Sequence, residues 1–278
     1  MRLLLAGFLL LLAANSAAMP GVPDWQELEY EQRALWLTAR SSISLLPTDT
    51  NGDSDWQLSV SSTVGTSEES VKISFDPRSG ATREHDRFSR GKDKRFKRHL
   101  FETHGPDKPA ITRERYEPGP GAAPNPIEGW TLTSRRLLPY PALPGEELLA
   151  SPYTLLVLAE RALELPGKTL QVYVHTDFNT YVVDLSAAAE ESITVDYRMA
   201  GSQQNSEREA DVIMVKVRSE PWGKLADKPD FNLMGLTGDI TILLDKETRL
   251  PLELRGRAPR VGRAVLKLKS VIMRDQSG

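Results

Sequence analysis

The chain has no cysteine. That one absence removes disulfides, thiol catalysis, thiolate metal sites and a lipidated N-terminal cysteine. Histidine is scarce too, with only His85, His99, His104 and His175. A zinc site needs three or four converging ligands, usually at tight local spacing. Only His175-Thr-Asp177 brings two candidate ligands to one strand end, and the plainer reading of His175 is a partly exposed residue there. No metal and no cofactor is therefore expected. There is no Gly-x-Ser-x-Gly elbow and no glycine-rich phosphate loop. Glu190 and Glu191 are adjacent, so in a strand they point to opposite faces, whereas glycosidase chemistry needs two converging carboxylates. The net charge of −3 gives no sign of a wholesale nucleic-acid binder. Together these absences lean away from an enzyme.

What is present begins with a leader. Met1-Arg2 is a short positive start, Leu3 to Ala14 is apolar throughout, and Asn15 to Ala18 are small or polar. The pattern reads as a secretory signal over residues 1–18, with cleavage after Ala18. The competing reading, a membrane anchor, needs about 20 apolar residues, and this run is shorter. No later run approaches spanning length. Export without cysteine suits a bacterial periplasm and leaves a β-rich domain over residues 19–278.

Period-two alternation dominates that domain, and it places one side-chain set on each face of a sheet. Ile240 and Ile242 alternate with Thr241; Leu250, Leu252 and Leu254 with Pro251, Glu253 and Arg255; Leu266 and Leu268 with Lys267 and Lys269. Asp245 to Thr248 supplies the first turn of this meander. Pro251 lacks a ladder donor, so its strand is expected at an edge or with its nitrogen turned away from a neighbour. Earlier, Trp56, Leu58 and Val60 predict one strand, and Val71, Ile73 and Phe75 another. The stretch from Leu28 to Leu46 reads as one long strand. Further strands are expected around Leu170–Val174, Tyr181–Val183, Ile193–Tyr197 and Ile213–Val217, with polar loops over Ser202–Glu209 and Pro221–Pro229.

Two interruptions organise the chain. Residues 105–144 hold nine of its 19 prolines, which favours an extended connector between two halves, with short strands surviving at Ile111–Tyr116 and Gly129–Arg136. Ser151-Pro152 then opens the single convincing helix, Ser as N-cap and Pro at the first turn. Leu155, Leu156, Leu158, Ala159, Ala162 and Leu163 give it a wide apolar face that must pack on the sheet, and Pro166-Gly167 ends it. The expected fold is mainly β: a curved antiparallel sheet, half-barrel or open barrel, with one packed α-helix.

The clearest charge feature is Arg83 to Arg98, eight basic residues against Glu84, Asp86 and Asp93. Gly91-Lys92 suits a hairpin turn inside it. Arg90, Lys94, Arg95, Lys97 and Arg98 are the candidate site for an anionic group, such as a phosphorylated headgroup or an acidic glycan. The plain alternative is a solvated hairpin whose arginines pair with acids elsewhere. Interleaved Arg and Phe would also suit nucleic acid, but an exported chain does not meet it. Trp25, Trp36, Trp56, Trp130 and Trp222 are read as core.

Three segments carry a resemblance: the helix followed by Thr169 to Asp177; Gly238 to Asp245 leading to Thr248-Arg-Leu-Pro-Leu-Glu-Leu254; and Gly262 leading into Ala264 to Leu268. Together they resemble the bacterial periplasmic domain-of-unknown-function family 3108, over about 150 residues of the C-terminal half. The resemblance implies a curved half-barrel around a helix, similar in style to periplasmic lipoprotein carriers. It brings no catalytic residues. The expected role is non-catalytic: binding or carrying an amphipathic, lipid-like envelope component, or a structural envelope role. Two alternatives stand beside it. One is a hydrolase or glycan-modifying enzyme acting on envelope polymers; the other is an interaction module docking an envelope protein through the hairpin 83–98.

Overall fold

The computed structural model describes residues 22–274, apart from 35–36, 51–52, 92–93, 103–108, 120–128, 146, 166, 168, 201–205 and 260. The leader read over residues 1–18 lies outside the described residues, as do Trp36, Lys92, His104, Pro166 and part of the proline-rich region. No helix among the described residues is long and apolar enough to cross a membrane.

Eight strands form an up-and-down meander: β1 (Trp25–Ala34), β2 (Leu37–Thr50), β3 (Asp53–Val64), β4 (Ser67–Phe75), β5 (Thr82–Arg90), β6 (Arg95–Glu102), β7 (Ala110–Glu117) and β8 (Thr131–Pro139). The chain then makes the short β9 (Leu149–Ala150), a 3-10 turn over Pro152–Thr154 and the helix α1 (Leu155–Leu163). A second meander follows: β10 (Thr169–His175), β11 (Thr180–Met199), β12 (Ser206–Pro221), β13 (Thr237–Asp245), β14 (Pro251–Ala258) and β15 (Gly262–Met273). Antiparallel pairing of β1 with β15 fuses the two meanders into one 15-stranded sheet with β8 and β9 at its ends. The sheet is large and curved, and α1 is the single α-helix among the described residues, as expected from the alternation of the strands and the Ser151-Pro152 helix start. The second meander curls back on itself, so that the end of β11 pairs in parallel with β15 through Arg198–Ser270 and Met199–Val271.

Some boundaries differ from the pattern-based reading. The single strand expected over Leu28–Leu46 is a hairpin, with Ala34 opposite Leu37. The alternations at Tyr181–Val183 and Ile193–Tyr197 belong to one 20-residue strand, β11, whose register slips between Ala187 and Glu190. The polar segment Ser202–Glu209 contributes its end to β12, which starts at Ser206. β14 is internal, between β13 and β15. Pro251 is tolerated because it is the first residue of the strand and sits at a register shift.

The helix follows its sequence signals. Ser151 Oγ accepts the Tyr153 amide at 3.4 Å, and Pro152 occupies the first turn. Leu155, Leu156, Val157, Leu158 and Ala159 are buried, packed toward β10–β13. Each such leucine contributes about 1.5–3 kcal/mol of hydrophobic stabilisation. Gly80, in the β4–β5 turn, makes room for Leu158. Its φ is +78°, and a Cβ there would stand 2.7 Å from Leu158 Cδ1.

Candidate functional site

Cross-strand register explains where the site lies. One inward row runs Leu28–Ile43–Val60–Val71 across β1–β4 and continues as Arg87–Lys97–Arg115 across β5–β7. The row beside it runs Leu45–Leu58–Ile73 and continues as His85–His99–Arg113–Arg136. The same face of the sheet is therefore aliphatic over β1–β4 and cationic or imidazole-bearing over β5–β8. The change occurs at β5, where positions in phase with the core carry His85 and Arg87.

The β10–β11 tip closes on that polar floor from the other half of the chain. Asp230 fixes the tip: its carboxylate accepts Thr176 Oγ1 at 2.7 Å, the Phe178 amide at 3.2 Å, Asn179 Nδ2 at 2.7 Å and the Tyr181 hydroxyl at 3.1 Å. Asp177 is thereby presented to β5 and β6. It forms an ion pair with Lys97 and lies 3.6 Å from Arg87 Nη1. Arg87 also donates to Glu69 at 2.7 Å. Phe178 stacks under the Arg113 guanidinium, 4.6 Å from ring centroid to Cζ.

Beneath Asp177 lie three buried imidazoles. His85 and His99 have ring centroids 5.9 Å apart, and His99 and His175 6.1 Å apart. His175 is 5% exposed, so the partly exposed strand end expected for it is corrected: the tip and Phe101 cover it. Burial depresses all three, to about 4 for His85, 3 for His99 and 4 for His175, so each is neutral near pH 7. Among the described residues their Nε2 atoms have no hydrogen-bond partner. Among the described residues no group of three or more His, Cys, Asp or Glu is arranged to hold a metal ion. Burial works against ionisation of Asp177, but the Lys97 and Arg87 charges outweigh it and hold the carboxyl down at about 2. Burial also lowers Lys97, opposed by Asp177.

A cavity of about 790 Å³ opens over this floor. One wall is polar and charged: Arg87, Arg95, Lys97, Asp177, Glu69 and the Tyr153 ring. The lining also holds the apolar side chains of Tyr30, Val64, Met234, Ala258, Val261 and Leu266, together with Ser41, Ser62, Ser67 and Ser89. Burial raises the pKa of the Tyr153 hydroxyl, which stays protonated. The volume falls within the range of about 300–1,000 Å³ usual for small-molecule sites.

The five basic residues expected to act together are divided by strand alternation. Arg95 and Lys97 face the cavity. Arg98 faces the opposite side of the sheet, donating to Asp86 at 2.8–2.9 Å and stacking on Phe96. Arg90 shares that outer face, over Phe88 and 3.3 Å from Glu68, and also reaches the cavity rim. Lys94 is exposed just before β6 and lines neither. The outer side holds a second cavity of about 640 Å³, lined by Phe88, Phe96, Tyr116 and Trp130 together with Arg90 and Arg98. Glu69, Arg87 and Tyr153 were not singled out from the sequence, and Asp177 was considered there only as a metal ligand beside His175. The one local signal for the floor was phase, since His85, Arg87, Lys97 and His99 stand where an all-apolar core would place aliphatics.

No protein-family model, curated protein or solved structure matches this chain.

Proposed function

We propose that the protein is an exported, periplasmic carrier that binds an amphipathic envelope molecule in the cavity between its two meanders. The acyl or other apolar part lies against Ala258, Val261 and Leu266, and the anionic group lies toward Arg87, Arg95 and Lys97. The observation that carries this reading is the mixed lining of the 790 Å³ cavity, which brings Arg87, Arg95 and Lys97 together with the apolar side chains of Val64, Met234, Ala258, Val261 and Leu266. Apolar concavity with a few placed polar groups is the usual form of a small-molecule site. The leader read at residues 1–18, the absence of cysteine and the family resemblance of the C-terminal half support the envelope setting.

The test is calorimetric titration with dodecyl phosphate below its micelle concentration. One site per chain is expected. Ala258→Trp, which fills the apolar wall, should weaken binding by at least about tenfold, and dodecyl maltoside should bind more weakly than dodecyl phosphate. Equal affinity for the charged and uncharged amphiphiles, or no effect of Ala258→Trp, would remove the reading.

A further inference from the structure

Asp177 stands out on the cavity floor because it comes from the other half of the chain. The sheet face around it is cationic, with Arg87, Lys97 and Arg115 in one cross-strand row and Arg113 in the next, and of these Arg87 and Lys97 line the cavity. Two of these have local acids: Arg87 pairs with Glu69 and Arg115 with Glu117. Lys97 has neither; its ion pair is with Asp177, and its side chain is only 11% exposed. Arg87 uses its second nitrogen toward the same carboxylate. A buried ammonium is costly without a counter-charge, and here the counter-charge stands at the edge of the cavity that would receive a ligand.

The surroundings set how Asp177 is held. Asp230 anchors Thr176, the Phe178 amide and Asn179, that is, the backbone and the residues on either side. The Asp177 carboxylate takes no part in that anchoring. Among the described residues its ion-pair partners are Lys97 and Arg87. The backbone is therefore fixed while the carboxylate is held by the same cations that face the cavity, so rotation of one side chain frees them without unfolding the tip.

We propose that Asp177 is an internal stand-in for the ligand's oxyanion, and that a phosphate or carboxylate amphiphile displaces it from Lys97 and Arg87 on binding. This rests on the carrier reading and adds to it a head-group class and a residue that limits affinity. Asp177 acts as a competitor. It keeps Lys97 paired when the cavity is empty, and it lowers affinity by the free energy needed to break that pairing, which favours release as well as capture. Uncharged amphiphiles do not compete for the two cations, so the residue also sets specificity.

The experiment titrates dodecyl phosphate and dodecanoate into the wild type, Asp177→Asn and Asp177→Ser, with circular dichroism and thermal melting to confirm folding. Both variants should bind at least one of the anionic probes about fivefold or more tighter, with dodecyl maltoside unchanged. The probe that gains more identifies the oxyanion, phosphate or carboxylate. A second measurement needs no variant. The Asp177 side-chain carboxyl resonance of the wild type, followed by carbon-13 NMR, should shift as the anionic probe saturates the site. Unchanged or weaker binding in folded variants, or a resonance that stays put while the wild type binds the probe, overturns the inference and leaves the carrier reading intact. No binding of any amphiphile by any form would overturn the carrier reading itself.

Discussion

Lys97 and Asp177 are 80 positions apart and meet because two strand ends from different meanders converge. Removing one member leaves a buried charge short of its partner, which typically costs about 3–5 kcal/mol, whereas replacing both with apolar residues is far milder. Lys97→Met is expected to lose about 3 kcal/mol in urea unfolding, and Lys97→Met with Asp177→Leu should recover most of it. Additive losses in the double variant would contradict the pairing. The imidazoles give a pH signature. Their folded pKa values, about 3 to 4, lie below the 6.5 of an unfolded histidine, so the unfolded chain binds more protons between those values. Stability is therefore full above pH 6.5 and falls as pH drops toward 4. Asp177, held at about 2, keeps its contribution until lower pH. His99→Phe should flatten the loss between pH 6.5 and 4, read from unfolding free energies at stepped pH; an unchanged slope would show that His99 does not bear the cost. None of this pairing is legible in sequence, because the Arg83–Arg98 run shows charge density and the partner lies far along the chain. Alternation did carry the face of each residue, and it separates Arg95 and Lys97 from Arg98.

At the scale of elements, strand existence was plain wherever aliphatics alternate without interruption, as in β3, β4 and β13–β15. Boundaries were obscured where no turn residue marks a reversal. Leu28 to Leu46 contains no Gly, Pro, Asn or Asp, so one strand and a hairpin look alike there, although the buried set changes phase from Leu28 and Tyr30 to Ile43 and Leu45. The reverse held in β11, where the slip between Ala187 and Glu190 made one strand look like two. The helix was legible from Ser151-Pro152 and its apolar face, but its seating against Gly80 was not. That contact gives a direct test. Gly80→Ala adds a Cβ 2.7 Å from Leu158 at a φ of +78°, so both overpacking and backbone strain act. A loss of about 2–4 kcal/mol is expected, with partial recovery when Leu158→Ala is added to relieve the clash. A neutral Gly80→Ala would mean that α1 does not sit on the β4–β5 turn.

For the whole molecule, the β1–β15 seam joins an N-terminal meander whose inner face is half aliphatic and half cationic to a C-terminal meander that supplies α1, the Asp177 tip and most of the apolar cavity wall. The Asp177–Lys97 ion pair and the buried Tyr30 hydroxyl, which donates to the Pro251 carbonyl, tie the halves together around one cavity. Neither meander alone encloses it. That this cavity holds an amphipathic anion is tested most directly by native mass spectrometry of the chain purified gently from its native source, beside Ala258→Trp prepared identically. The expected result is added mass on the wild type that extracts into organic solvent as an anionic amphiphile and is lost from the variant. A bare wild-type mass under conditions that preserve the ligand of a known lipid carrier, or the same added mass on both proteins, would contradict it.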